Sequence, residues 1–120
     1  MTTDAERTLE AFLRNMEGHL AAAAGNMSAL TAAMARGDAK QAANEAAKVG
    51  AAEREVGKLI SAYGSLCLRR RDTLSPHRDS VSIEADAAQE AQVYARLEAA
   101  HASLARAESA YAAWLRRRPQ

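Results

Sequence analysis

Leu9, Leu13, Met16, Leu20, Ala23, Met27, Leu30 and Met34 recur at alternating steps of four and three. On a helix those steps stack into a single apolar stripe, and a stripe held for nearly four heptads buries itself only against other helices. A helix over about 4–36 is roughly 48 Å long at ~1.5 Å per residue. Thr3-Asp4-Ala5-Glu6 fits its start, because a Thr hydroxyl and a Glu carboxylate at that spacing satisfy two free amides reciprocally. Gly37 fits its end as the left-handed residue after the last turn, and Asp38, with Gln41 three residues on, starts another helix. So short a turn reverses the chain into a helical hairpin.

The second helix is predicted over about 39–70, with a seam through Ala42, Ala46, Val49, Ala52, Val56, Leu59, Tyr63 and Leu66. Its first half offers almost only Ala. Gly50, Gly57 and Gly64 repeat every seven residues and line one edge of it, as Gly18 and Gly25 do on the first helix. Each is unfavourable by about 1 kcal/mol relative to Ala. Two readings stay open: close approach by a neighbouring helix, or a loss tolerated on a wet face. Pro76 disfavours helix at Ser75, so a loop is expected over about 71–81. The third helix is expected over about 82–118, with Ser82 as its cap and Glu84 and Asp86 in its first turns. Its seam runs through Ile83, Ala87, Ala91, Tyr94, Leu97, Ala100 or His101, Leu104, Ala107, Tyr111 and Trp114 or Leu115.

Composition agrees with a thin-cored helical chain. Of 120 residues, 31 are Ala and only 18 are Leu, Ile, Val or Phe, a share that signals disorder when the net charge is large. Here the net charge is +1, and Ala has the best helix propensity. The fold class is therefore all-α: one domain over residues 1–120, a long antiparallel hairpin plus a third long helix in an elongated bundle. No apolar run approaches the ~20 residues that span a bilayer, which argues against membrane insertion, and Arg14, Glu17 and His19 break the first apolar run, against a signal peptide. A single cysteine, Cys67 between Leu66 and Leu68, builds no disulfide framework and reads as an apolar filler in a reducing, cytoplasmic setting.

Chemistry-bearing motifs are sparse. Glu98 and His101 have the i, i+3 spacing of carboxylate-bridged di-iron bundles, and Glu53, on an otherwise apolar stretch of the second helix, could supply further carboxylates, but only one copy of the motif is present and no zinc pattern occurs. Arg69, Arg70 and Arg71 with Arg78, and separately Arg116, Arg117 and Arg118, form basic clusters suited to the phosphates of a nucleic acid or a membrane surface. With so small a net charge and no recognition-helix module, they read as solvated helix ends that complement the helix dipole, and no nucleic-acid partner is expected. Nothing sets a nucleophile beside a base and no glycine loop cradles a phosphate, so neither enzymatic activity nor a cofactor nor a metal site is expected.

The run Leu30-Thr-Ala-Ala-Met-Ala-Arg-Gly37-Asp38, followed by a helix reaching Glu53-Arg54-Glu55-Val56-Gly57-Lys58-Leu59, resembles the central hairpin of the small bacterial flagellar and type III secretion export chaperones, over roughly residues 9–66. That resemblance implies a cytoplasmic, non-enzymatic protein that holds an amphipathic helix of an export substrate and delivers it to a secretion gate. Recognition would be helix-in-groove, with the partner's stripe replacing solvent or a self-docked helix. Tyr94, Leu97, Leu104, Tyr111, Trp114 and Leu115, the large side chains of the third helix, are the expected partner-binding surface. The same surplus of apolar side chains over cover suits a homodimer. The alternatives are a structural coiled coil that only oligomerises and, third, a di-metal bundle on Glu53, Glu98 and His101.

Overall fold

The computed structural model describes residues 3–73 and 80–118. Three helices follow one another: α1 (Asp4–Ala35), α2 (Ala39–Thr73) and α3 (Ser80–Arg117). They form a rod of 67 × 20 × 17 Å. Its radius of gyration is 18.7 Å, against about 14 Å for a compact domain of this length. The elongation follows from helices of 32, 35 and 38 residues lying side by side.

The expected caps are in place. The Glu6 amide donates to the Thr3 hydroxyl at 3.1 Å, and the Thr3 amide donates to the Glu6 carboxylate at 3.3 Å. At the other end Gly37 takes φ 72°. Its amide donates to the Met34 carbonyl and the Asp38 amide to the Ala33 carbonyl, both at 3.0 Å, which satisfies two orphan carbonyls of α1. The Asp38 carboxylate then accepts from the Gln41 amide at 3.0 Å and caps α2.

The far connection differs from expectation. α2 continues to Thr73 instead of about Arg70, and α3 starts at Ser80, which places Ser82 inside the helix and not at its cap. Continued helix aims Arg70 and Arg71 at α3, where one carboxylate receives both. The core of the expected loop, residues 74–79 with Pro76, His77 and Arg78, lies outside the described residues.

Burial follows steps of seven. Leu9, Met16, Ala23 and Leu30 on α1 and Ala42, Val49, Val56 and Tyr63 on α2 are buried, and Leu97 and Leu104 continue the pattern on α3. The half-way positions Leu13, Leu20, Met27 and Met34 are only partly covered. Tyr63 is the largest fully buried side chain and sits where all three helices meet. Phe12 stacks on it at 5.6 Å and Tyr94 meets it edge-on at 5.1 Å. The expected seam of α3 needs correction: Ile83, Ala87 and Ala91 are exposed, whereas Glu90 and Val93 are buried.

Gly18 and Gly25 have nothing within 4 Å of where a Cβ would stand. Gly18→Ala and Gly25→Ala are each expected to raise the unfolding free energy by about 0.5–1 kcal/mol. Gly37→Ala, forced into the left-handed region, should lower it by about 1–2 kcal/mol. Urea denaturation of the three variants checks both signs.

Candidate protein-binding surface

α3 lies chiefly along α2 and touches α1 least. The glycine stripe of α2 faces this contact. A Cβ on Gly50 would stand 3.0 Å from Glu108 Oε1, one on Gly57 3.9 Å from His101 Nε2, and one on Gly64 3.0 Å from the Tyr94 hydroxyl. Glu108, His101 and Tyr94 are themselves seven apart, so each bare turn of α2 receives one side chain of α3. Both readings of the glycines therefore hold, on different helices: approach by a neighbour on α2, open surface on α1.

That contact is partly polar. His101 Nε2 lies 3.8 Å from Glu53 Oε1. Glu108 is held above the usual carboxylate range, first by its hydrogen bond with Glu53, then by burial and the Glu53 charge, with Arg54 and His101 pulling the other way. A raised folded-state value means that Glu108 stabilises the docked α3 fully below the ordinary carboxylate range, and that this contribution fades as pH rises through the raised value. The Glu108→Gln variant should lose that falling limb above the ordinary carboxylate range, read by urea unfolding across pH.

At the other end of α3 the ion pairs are tighter. Arg70 Nη2 donates to Glu90 Oε1 at 2.7 Å, Arg71 donates to Glu90 Oε2, and Arg70 Nη1 reaches Gln89 at 3.4 Å and Asp86 at 3.9 Å. Arg70 and Glu90 are both buried, so Arg70 does not belong to a solvated basic cluster. Burial pushes the Glu90 carboxyl up, but the hydrogen bonds from Arg70 and Arg71 outweigh it and hold the group below its ordinary value. Cys67, behind this cluster, is buried and its thiol is pushed up, mainly by burial, which keeps it protonated and inert, in line with its reading as a filler.

The six expected partner-binding residues do not form one surface. Leu97 and Leu104 are wholly buried between the helices, and Tyr94 is half-buried against Tyr63. They sit on the inner stripe because α3 closes over the hairpin. Tyr111, Trp114 and Leu115 stay together near the last turns of α3. There Tyr111 stacks on Trp114 at 6.1 Å, the Arg118 guanidinium covers the indole at 4.7 Å, and Leu115 is 45% exposed.

Sequence reading also missed a concavity. A groove of about 380 Å³ lies between α1 and α2, lined by His19, Ala22 and Asn26 on one side and Lys48, Ala51 and Glu55 on the other. It arises where the hairpin offers only Ala and the layers leave a gap. Glu98 is exposed and takes no part in the Glu53–His101 contact. Among the described residues no three His, Cys, Asp or Glu side chains are grouped to hold a metal ion, and no helix is long and apolar enough to cross a membrane.

In comparisons with protein-family models, curated proteins and solved structures, nothing matches this chain.

Proposed function

We propose that this protein is a non-enzymatic helix-binding module of the cytoplasm, an export chaperone that captures an amphipathic helix of a secreted substrate. One observation carries the reading: polar contacts interrupt the packing of α3 on the hairpin, at Arg70–Glu90 and again at Glu53–His101–Glu108, among the buried apolar anchors Val93, Leu97 and Leu104 and the half-buried Tyr111 and Trp114. A substrate helix with a fuller apolar stripe competes for the same face of α2, and the free energy of displacing α3 subtracts from its affinity. The half-covered Leu13, Leu20, Met27 and Met34 of α1 offer that helix further cover.

Two measurements test this. Hydrogen exchange should find α3 opening well before α1, and equal protection of the two rejects displacement. A photoreactive residue at position 20, among the half-covered side chains of α1, introduced in the native cell, should trap the terminal helix of an exported protein. Trapping only a second copy of this chain supports the structural coiled coil instead.

A further inference from the structure

The two ends of the rod differ in charge. The Glu17–Arg96 ion pair sets α1 against α3, and nineteen residues beyond each partner stand Arg36 and Leu115. The glycine contacts set α2 against α3, and ten residues beyond Gly50 and Glu108 stand Lys40 and Arg118. The hairpin turn and the last turn of α3 therefore share one end of the rod. That end gathers Arg36, Lys40, Arg116, Arg117 and Arg118 against two carboxylates, Asp38 and the buried Glu45. Arg36, Lys40, Arg116 and Arg117 are exposed, and none has an ion-pair partner among the described residues. Since the whole chain carries only +1, the rest of the rod is net negative. Beside these cations stand the half-buried Trp114 and Tyr111 and the exposed Leu115.

We propose that this end is a docking face for an anionic lipid bilayer, met with the long axis of the rod steep to the surface. Charge segregation decides the partner. Screening limits the field of a charged surface to ~8–10 Å at physiological salt, and the rod is 67 Å long. End-on contact with a planar anionic surface thus engages the cations and leaves the acidic length outside the field. A nucleic acid lying along the rod would run against that acidic length. The side chains agree: Trp and Tyr settle at the headgroup level, Leu115 is placed to enter the acyl boundary, and arginines pair with phosphate oxygens. No helix spans the bilayer in this mode.

The test uses the full chain and its own reporter, since Trp114 is the only tryptophan. Vesicles of phosphatidylcholine alone are compared with vesicles containing phosphatidylglycerol, by flotation and by indole emission. Binding with a blue shift is expected for the anionic vesicles only, and is expected to disappear in molar salt. Arg116→Glu with Arg117→Glu should weaken it at least tenfold. Arg14→Glu with Lys58→Glu, the same charge change on exposed positions along the rod, should weaken it far less. Equal loss from the two double variants, absence of binding to anionic vesicles, or tighter binding to a DNA duplex or to polyglutamate than to those vesicles would overturn the proposal. Circular dichroism of both double variants establishes that each remains folded.

Discussion

Glu90→Ala is expected to lower the unfolding free energy by about 3–5 kcal/mol, the cost of leaving a buried guanidinium without its carboxylate. Glu90 is 6% and Arg70 5% exposed, so water does not replace the missing partner easily. Whole domains of this size are stable by only about 5–15 kcal/mol, and the variant should sit close to its threshold. Replacing both members, Arg70→Met with Glu90→Leu, should restore stability or exceed wild type by about 1–4 kcal/mol, because desolvating two ions offsets most of their attraction. Urea unfolding at neutral pH measures both. A loss under about 1 kcal/mol for Glu90→Ala would mean that the pair behaves like an exposed one. The sign of the pH effect follows from the lowered Glu90 value: its contribution is present above the ordinary carboxylate range and lost as pH falls through the lowered value.

The second large effect falls on residues that look, in sequence, like a docking surface. Leu97→Ala and Leu104→Ala should each cost about 2–5 kcal/mol, since both side chains are fully buried and the long helices around them collapse poorly onto a cavity. Leu115→Ala, at a 45% exposed site, should stay within about 0.5 kcal/mol of wild type. Thermal melts of the three variants separate packing from surface. Comparable small losses at all three would place α3 loosely on the hairpin throughout.

Much of this architecture is legible in the chain. The steps of four and three on α1, the Thr3 to Glu6 capping pair and the Gly37-Asp38 turn are local signals, and the structure realises each of them. Less legible was which residues of α3 face inward. Ala fits either face of a helix, so Ala87 and Ala91 fit a seam on paper. Glu90 carries no core signal of its own, because a lone carboxylate belongs in water, and only the opposite Arg70, twenty residues away, changes that. A pairing between helices leaves no periodic mark on one of them. The glycine stripe was visible, but which helix fills it depends on register, and register is a tertiary property. The basic end was divided in the sequence between the hairpin turn and the last turn of α3, two segments nearly eighty residues apart.

The matching seven-residue spacing of Gly50, Gly57 and Gly64 with Glu108, His101 and Tyr94 has an ambiguity built into it. Sliding α3 by one repeat would drop Tyr94 onto Gly57 and His101 onto Gly50, seats much like those vacated. The same slide would strand the Glu90 carboxylate against the ring of Tyr63 and set the Arg70 guanidinium opposite Ile83. That salt bridge therefore serves as the index mark on an otherwise evenly ruled scale, selecting one alignment among near equals at little net gain in stability.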